Sequence, residues 1–237
     1  MPTLIPLNNQ FSSLADDAYA AIKQKIFSFE LLPGDLISEG NLVRLMQVSR
    51  TPLRQALQRL QYEGFLNAIP KIGWQITPLD FNKLDELYDF RILIEGHAIK
   101  LLCDKACSHE PLSELVKIWL CDARDRIQDS EKVGMLDENF HHELVKIAGN
   151  QEMLRMHQEI SERIRIVRRL DFTKENRIHE TYDEHSKIIK AILDRRGAEA
   201  KRLLNSHIDQ SKIEVRKITL AAMHEVKEKL IRSIKKL

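Results

Sequence analysis

The stretch Val48-Ser49-Arg50-Thr51-Pro52-Leu53-Arg54-Gln55-Ala56-Leu57-Gln58-Arg59-Leu60-Gln61-Tyr62-Glu63-Gly64-Phe65-Leu66 decides how the N-terminal part of this chain folds. Ser49 stands where an N-cap is needed, with a hydroxyl oxygen available to an orphan backbone N–H. Pro52 falls in the first turn, where its missing N–H costs nothing. Leu53, Ala56, Leu57 and Leu60 then recur at three and four residues and mark a single buried face. Gly64 stops the helix. Arg50, Thr51 and Arg54 lie off that face, at the leading end. A short helix with arginines at its leading end suits a DNA major groove, because Arg pairs bidentately with O6 and N7 of guanine. The same pattern also describes an ordinary amphipathic helix with a solvated basic flank, so the neighbours must decide.

Upstream, Pro33-Gly34 in Leu31-Leu32-Pro33-Gly34-Asp35-Leu36-Ile37-Ser38-Glu39 turns the chain, and Ser38 caps a short helix carrying Leu42, Val43 and Met46 inward. Farther upstream, Leu14, Ala18, Tyr19, Ile22, Ile26 and Phe29 share one side of a first helix. Downstream, Phe65-Leu66-Asn67-Ala68-Ile69 and Trp74-Gln75-Ile76-Thr77 flank Pro70-Lys71-Ile72-Gly73 and read as a two-stranded wing. Helix, helix, recognition helix and wing make a winged helix-turn-helix.

At this point the chain resembles a known family. "LLPGDLIS-E…L…VSRTPLRQAL-RL…EGF" is similar to the DNA-binding domain of the GntR family of bacterial transcription regulators, over roughly residues 14 to 78. The resemblance implies a double-stranded, pseudo-palindromic DNA operator bound by a homodimer, since one winged domain covers too few bases. Arg50 and Arg54 are then expected to read bases. Ser49, Thr51 and Lys71 are expected to position phosphates or the wing, and Gly73 to allow close backbone approach. One departure is Gly40, where many members carry an arginine after the glutamate that opens the second helix.

Length and composition frame the rest. The 237 residues suit two modest domains, with 30% charged residues and a formal net charge of only +2, so any basic surface must be local. No apolar run approaches the roughly 18 residues of a membrane span, and the first residues lack a basic segment followed by an apolar core. Three cysteines argue against a disulfide framework and fit a reducing cytoplasm. Cys103 and Cys107, four apart on a helix, read as small buried hydrophobes.

Residues 1 to 12 read as a loose arm. Thr77-Pro78-Leu79-Asp80 is the break between composition regimes, which divides the chain into 1–78 and 79–237. Beyond it glycine and proline nearly vanish and helical periods take over. The spacing predicts helices at about 81–106, 109–129, 131–148, 151–170, 175–195 and 198–235. Ser108, Ser130, Thr173 and Asn176 serve as start signals, and Gly149-Asn150 and Gly197 as stops. The expected architecture is mainly α: a winged helix-turn-helix followed by an all-α bundle.

In Leu136-Asp137-Glu138-Asn139-Phe140-His141-His142-Glu143-Leu144-Val145, Asp137 and His141 share a face with Phe140, Leu144 and Val145. His185 opens an inward stripe with Ile188, Ile189 and Ile192, and His207 falls below Leu203 and Leu204. Burying such groups unpaired costs several kcal/mol. A lone inward histidine is usually just hydrogen-bonded, and His142, His97, His109, His157, His179 and His224 are read that way. Three histidines and a carboxylate on three apolar faces are together explained by one divalent metal, zinc first, with nickel, manganese or iron also suited.

"LDENFHHELVKIAGN…EH…I…AI…GAEAKRLLNSHI" resembles the all-helical FCD ligand-binding domain of the FadR-type branch of the family, over about residues 80 to 220. The resemblance implies a metal held by Asp137, His141, His185 and His207 beneath an effector cavity. It argues against long acyl thioesters as ligands. Arg91 matches a recurrent arginine of the domain's first helix and would suit a small carboxylate. Its alternative role is an ion pair with Glu95, four residues on. Asn150 resembles an asparagine that closes the metal helix, where capping competes with ligand contact. A regulator with a small-molecule effector, rather than an enzyme, is the expectation. A metal-dependent hydrolase on the three-histidine site is the rival, weakened because no unpaired Glu or His stands ready as general base. A regulator that senses the metal itself would use the same ligands.

Overall fold

The computed structural model describes residues 13–28, 30–104, 110–172 and 177–217, with 224, 225 and 228. The loose arm at 1–12, Phe29, the start signals Ser108, Thr173 and Asn176, Cys107 and most of the chain after 217 lie outside the described residues. The chain divides into two compact units, Met1–Leu79 and Asp80–Leu237, and the division falls within the Thr77–Asp80 break.

The first unit opens with α1 (Leu14–Phe27), started by a capping box in which Ser13 and Asp16 satisfy each other's orphan groups. Ala18, Ile22, Ile26 and Phe27 are buried, whereas Leu14 is exposed, so the inward stripe begins one turn later than its apolar spacing suggests. After a two-residue strand β1 (Leu36–Ile37) come α2 (Glu39–Met46) and α3 (Arg50–Tyr62). Leu53, Leu57 and Leu60 are fully buried on α3, and each removes an apolar side chain from water for about 1.5–3 kcal/mol. Gly64 adopts a left-handed φ of 85°, while the N–H groups of Gly64 and Phe65 return to the carbonyls of Gln61 and Leu60. That closes α3 and turns the chain into the wing.

Strands β2 (Leu66–Ile69) and β3 (Gly73–Ile76) pair antiparallel, Leu66 opposite Ile76 and Ile69 opposite Gly73. The wing is three-stranded rather than two-stranded, because β1 adds to the other edge of β3 with Ile37 opposite Trp74. A two-residue strand has too short a pattern to be read from alternation.

The second unit is helical: α4 (Phe81–Asp104), α5 (Ser113–Trp119), α6 (Ser130–Ala148), α7 (Gln151–Asp171), α8 (Arg177–Leu193) and α9 (Gly197–Arg216). α4 packs along α9, α6 and α7, and α8 packs on α9. The expected single helix over 109–129 does not form. α5 stops at Trp119, and single 3-10 turns stand on either side of it. Beyond Trp119 the Ile127 N–H donates to the Tyr182 hydroxyl at 3.2 Å and Arg126 pairs with Asp183 at 2.9 Å. Tertiary bonds to α8 replace the helical ladder there.

Candidate nucleic-acid interface and metal centre

On the winged unit Ser49, Arg50, Thr51, Arg54 and Lys71 are all exposed, four around the start of α3 and one at the wing tip. Ser49 occupies the N-cap position with extended backbone, but its hydroxyl makes no capping bond, contrary to expectation. The hydroxyl therefore stays available beside the first-turn N–H groups, the pattern that receives phosphate at a helix N-terminus. Lys71 sits at φ 65° in the turn between β2 and β3, beside exposed Ile72. Arg54 donates its Nε to both carboxylate oxygens of Glu39, at 3.2 and 3.0 Å. Gly73 has an internal reason for being glycine. At its φ of 134° an added Cβ would lie 2.6 Å from the Ile37 carbonyl oxygen, so the close approach is to β1 of the same unit.

The helical unit brings Asp137, His141, His185 and His207 together. All four are buried, and one ligand-capable atom from each lies within 4.8 Å of every other. His207 Nε2 is 3.1 Å from His141 Nε2 and 3.3 Å from His185 Nε2. Asp137 Oδ1 is 3.3 Å from His185 Nε2, 3.7 Å from His141 Nε2 and 3.8 Å from His207 Nε2. Ligands 2.0–2.1 Å from a tetrahedral zinc stand about 3.4 Å apart, so the set fits such an ion.

The surrounding bonds set the direction of each donor. His141 Nδ1 meets Glu95 Oε2 at 2.5 Å, and His207 Nδ1 meets Glu184 Oε2 at 2.7 Å. A carboxylate on Nδ1 fixes the proton there and turns the Nε2 lone pair inward. His185 is held by rings instead, stacked on Phe140 at 3.8 Å and edge-on to Trp119 at 4.3 Å. Asp137 Oδ2 accepts from the Arg168 guanidinium, while buried Oδ1 has no hydrogen-bond partner among the described residues. Burial pushes His141 down to about 4 and His185 well below the ordinary imidazole value. Burial would raise Asp137, but Arg168 and the neighbouring histidines hold it well below the carboxylate range. Neutral imidazoles and an ionised carboxylate are the forms that bind metal.

Glu95 joins more of the core than the sequence suggests. Besides His141 it pairs with Arg91 and accepts from His157 Nε2 at 3.0 Å, all within the interior. Arg91 is thus in the ion pair foreseen as its alternative role, yet among the described residues its Nη2 lacks a partner, as do Arg168 Nη1 and the Tyr88 hydroxyl. His157, read as ordinary, is fully buried in this network. The residues sequence reasoning missed are Glu95 as a histidine anchor, His157, Arg168 and Glu184. Only Glu95 had a legible signal, its i+4 relation to Arg91. Asn150 is not brought to the cluster. It is exposed, and its Oδ1 accepts the Met153 N–H at 3.1 Å, which caps α7.

The winged helix-turn-helix and the four-donor helical bundle define a DNA-binding regulator of the bacterial two-domain type. The profile of bacterial regulatory proteins of the gntR family matches residues 14–76, and that of the FCD domain matches residues 86–210. The chain is 34% identical over 199 residues to the Nta operon transcriptional regulator of Aminobacter aminovorans, covering 84% of this chain and 93% of that one. It is 30% identical over 195 residues to the HTH-type transcriptional regulator YdhC of Bacillus subtilis, covering 81% and 86%. The chain belongs to the GntR family and carries an FCD domain; it is a DNA-binding transcription regulator, not an enzyme. The fold is shared with a GntR transcriptional regulator from Rhodococcus sp. RHA1, TM-score 0.70 at 17% identity over 86% of this chain and 98% of that one. It is shared also with McbR/YncC of E. coli, TM-score 0.64 at 18% identity over 87% and 99%. Among the described residues no helix is long and apolar enough to cross a membrane.

Proposed function

We propose that the helical unit holds one divalent metal on Asp137, His141, His185 and His207, and that a small carboxylate bound over it changes the operator affinity of the winged unit. The carrying observation is the donor set itself: three Nε2 atoms and the Asp137 Oδ1, which has no hydrogen-bond partner among the described residues, lie together in the buried interior. Without a cation these lone pairs repel; a divalent ion satisfies them together. Zinc suits the set, and nickel, manganese or iron are compatible with it. Once bound, the ion would supply positive charge and further coordination positions. Arg91 Nη2, Arg168 Nη1 and the Tyr88 hydroxyl support an anionic effector, since each is a buried donor without a partner among the described residues.

Arg50 and Arg54 would read base edges, with Ser49, Thr51 and Lys71 on phosphates. The protein would act as a homodimer on a pseudo-palindromic operator, in the cytoplasm where the chromosome lies. Untagged protein should retain near one metal per chain. Operator titrations should respond to carboxylates such as citrate, lactate and glutarate in metal-loaded protein, and not to metal alone. A response to metal alone would make the ion the signal, and protein purified without bound metal that also fails to take it up would overturn the reading.

A further inference from the structure

Arg50 and Arg54 both stand at the leading end of α3, but their surroundings differ. The Arg50 side chain makes no hydrogen bond among the described residues. Arg54 gives its Nε to both oxygens of Glu39, the first residue of α2, across fifteen positions of sequence. The Arg54 side chain is nonetheless 61% exposed, and its Nη1 and Nη2 have no partner among the described residues. The inner N–H is thus occupied while the outer pair is presented outward. Two parallel outward N–H groups are what O6 and N7 of guanine accept.

The Glu39–Arg54 pair has little to do with stability, since an exposed ion pair contributes little. Nor is Glu39 needed to cap α2, because the Ser38 hydroxyl already accepts the Asn41 N–H at 3.2 Å. Arg44 does not compete for it, its guanidinium being bonded to Asn41. What the pair does is limit the rotamers of a long side chain before DNA arrives, so less order is lost on binding. It does so at an electrostatic disadvantage, because a carboxylate beside the groove repels phosphates.

We propose that Glu39 is a positioning residue that holds Arg54 in its guanine-reading orientation, so that it sharpens base discrimination while weakening sequence-independent binding. The proposal rests on the reading of Arg54 as a base-contacting residue. It predicts opposite signs for two quantities that a merely structural residue would move together.

The test uses the full chain and a duplex that the wild-type protein itself selects from a random pool. Binding is measured to that duplex, to a copy with the preferred G·C pair replaced by A·T, and to unrelated DNA, at two salt concentrations. Circular dichroism checks that each variant is folded. In Glu39→Ala the ratio between the first two duplexes should fall by about fivefold to tenfold, while affinity for unrelated DNA rises. Glu39→Gln, which keeps an acceptor oxygen without the charge, should gain the same unspecific affinity and lose less discrimination. Adding Glu39→Ala to Arg54→Ala should cost no further discrimination, because the two act as one unit. Unchanged discrimination in Glu39→Ala, equal losses in the Gln and Ala variants, or an additive double mutant would overturn the positioning role. If Arg54→Ala alone left base preference intact at every position, the base-reading assignment would fall first, and this proposal with it.

Discussion

Glu63 shows how much one residue can carry in a small domain. Its Oε2 accepts from the Tyr19 hydroxyl at 2.6 Å and from Lys23 Nζ at 2.9 Å, and its Oε1 accepts from Arg59 Nε at 3.1 Å. The Arg59 guanidinium in turn lies 3.7 Å from the Tyr19 ring centroid. One carboxylate therefore ties the end of α3 to α1. Partial burial pushes the Glu63 carboxyl up, but Tyr19, Lys23 and Arg59 together bring it below its ordinary value. A depressed carboxylate stabilises the fold above its unfolded pKa, and that contribution is lost as pH falls through the lower folded value. Glu63→Gln should therefore cost about 1 kcal/mol at pH 7, allowing for partial exposure. The gap to wild type should narrow as pH falls below about 4.3. Urea titrations of both proteins at several pH values check this, and a gap that widens toward acid would contradict it.

At the scale of elements, the wing and the segment after α5 are both settled by contacts beyond their own sequence. β3 is the central strand, and Gly73 at its start passes so close to β1 that a methyl group would meet the Ile37 carbonyl. Gly73→Ala should destabilise the winged unit by about 2–3 kcal/mol, combining an unfavourable φ with that contact. The loss should appear in the unfolding of the winged unit, while metal content stays as in wild type. A neutral Gly73→Ala would mean that β1 does not sit on β3. Conversely, the periodicity after Trp119 promised more helix than forms, because Arg126, Ile127 and Tyr182 offer the chain other hydrogen bonds. A window of apolar spacing reports which residues seek burial, not which partner will satisfy the backbone.

For the whole molecule, the metal reading has a thermodynamic consequence. Asp137 and His141 stand on α6, His185 on α8 and His207 on α9, so one ion would staple three helices. A ligand that binds only the folded state stabilises by about 4 kcal/mol at a thousandfold excess over Kd. Chelation should lower the Tm of the helical unit in wild type. His185→Ala should start lower and respond little to chelator, yet still bind operator. Full metal occupancy in His185→Ala would place the ion elsewhere. Glu95→Gln belongs to the same experiment. It loosens the anchor of His141 and should weaken metal affinity by about 10- to 100-fold without removing a ligand.

The sequence by itself was enough for what depends on local pattern. The apolar spacing of Leu53, Ala56, Leu57 and Leu60 and the stop at Gly64 specify α3, and the family motif around them names the winged domain. Inward placement of Asp137, His141, His185 and His207 is likewise periodic, since a residue's face on a helix follows from its position alone. Tertiary structure decided what those faces meet. It brought His157 and Arg91 to the same Glu95, gave Asp137 its Arg168, and laid β1 against the wing. It also left Asn150 at a helix cap on the surface. Such pairings join residues on different elements, where distance along the chain carries no information about distance in space, and only the packing of one helix or strand against another could make them.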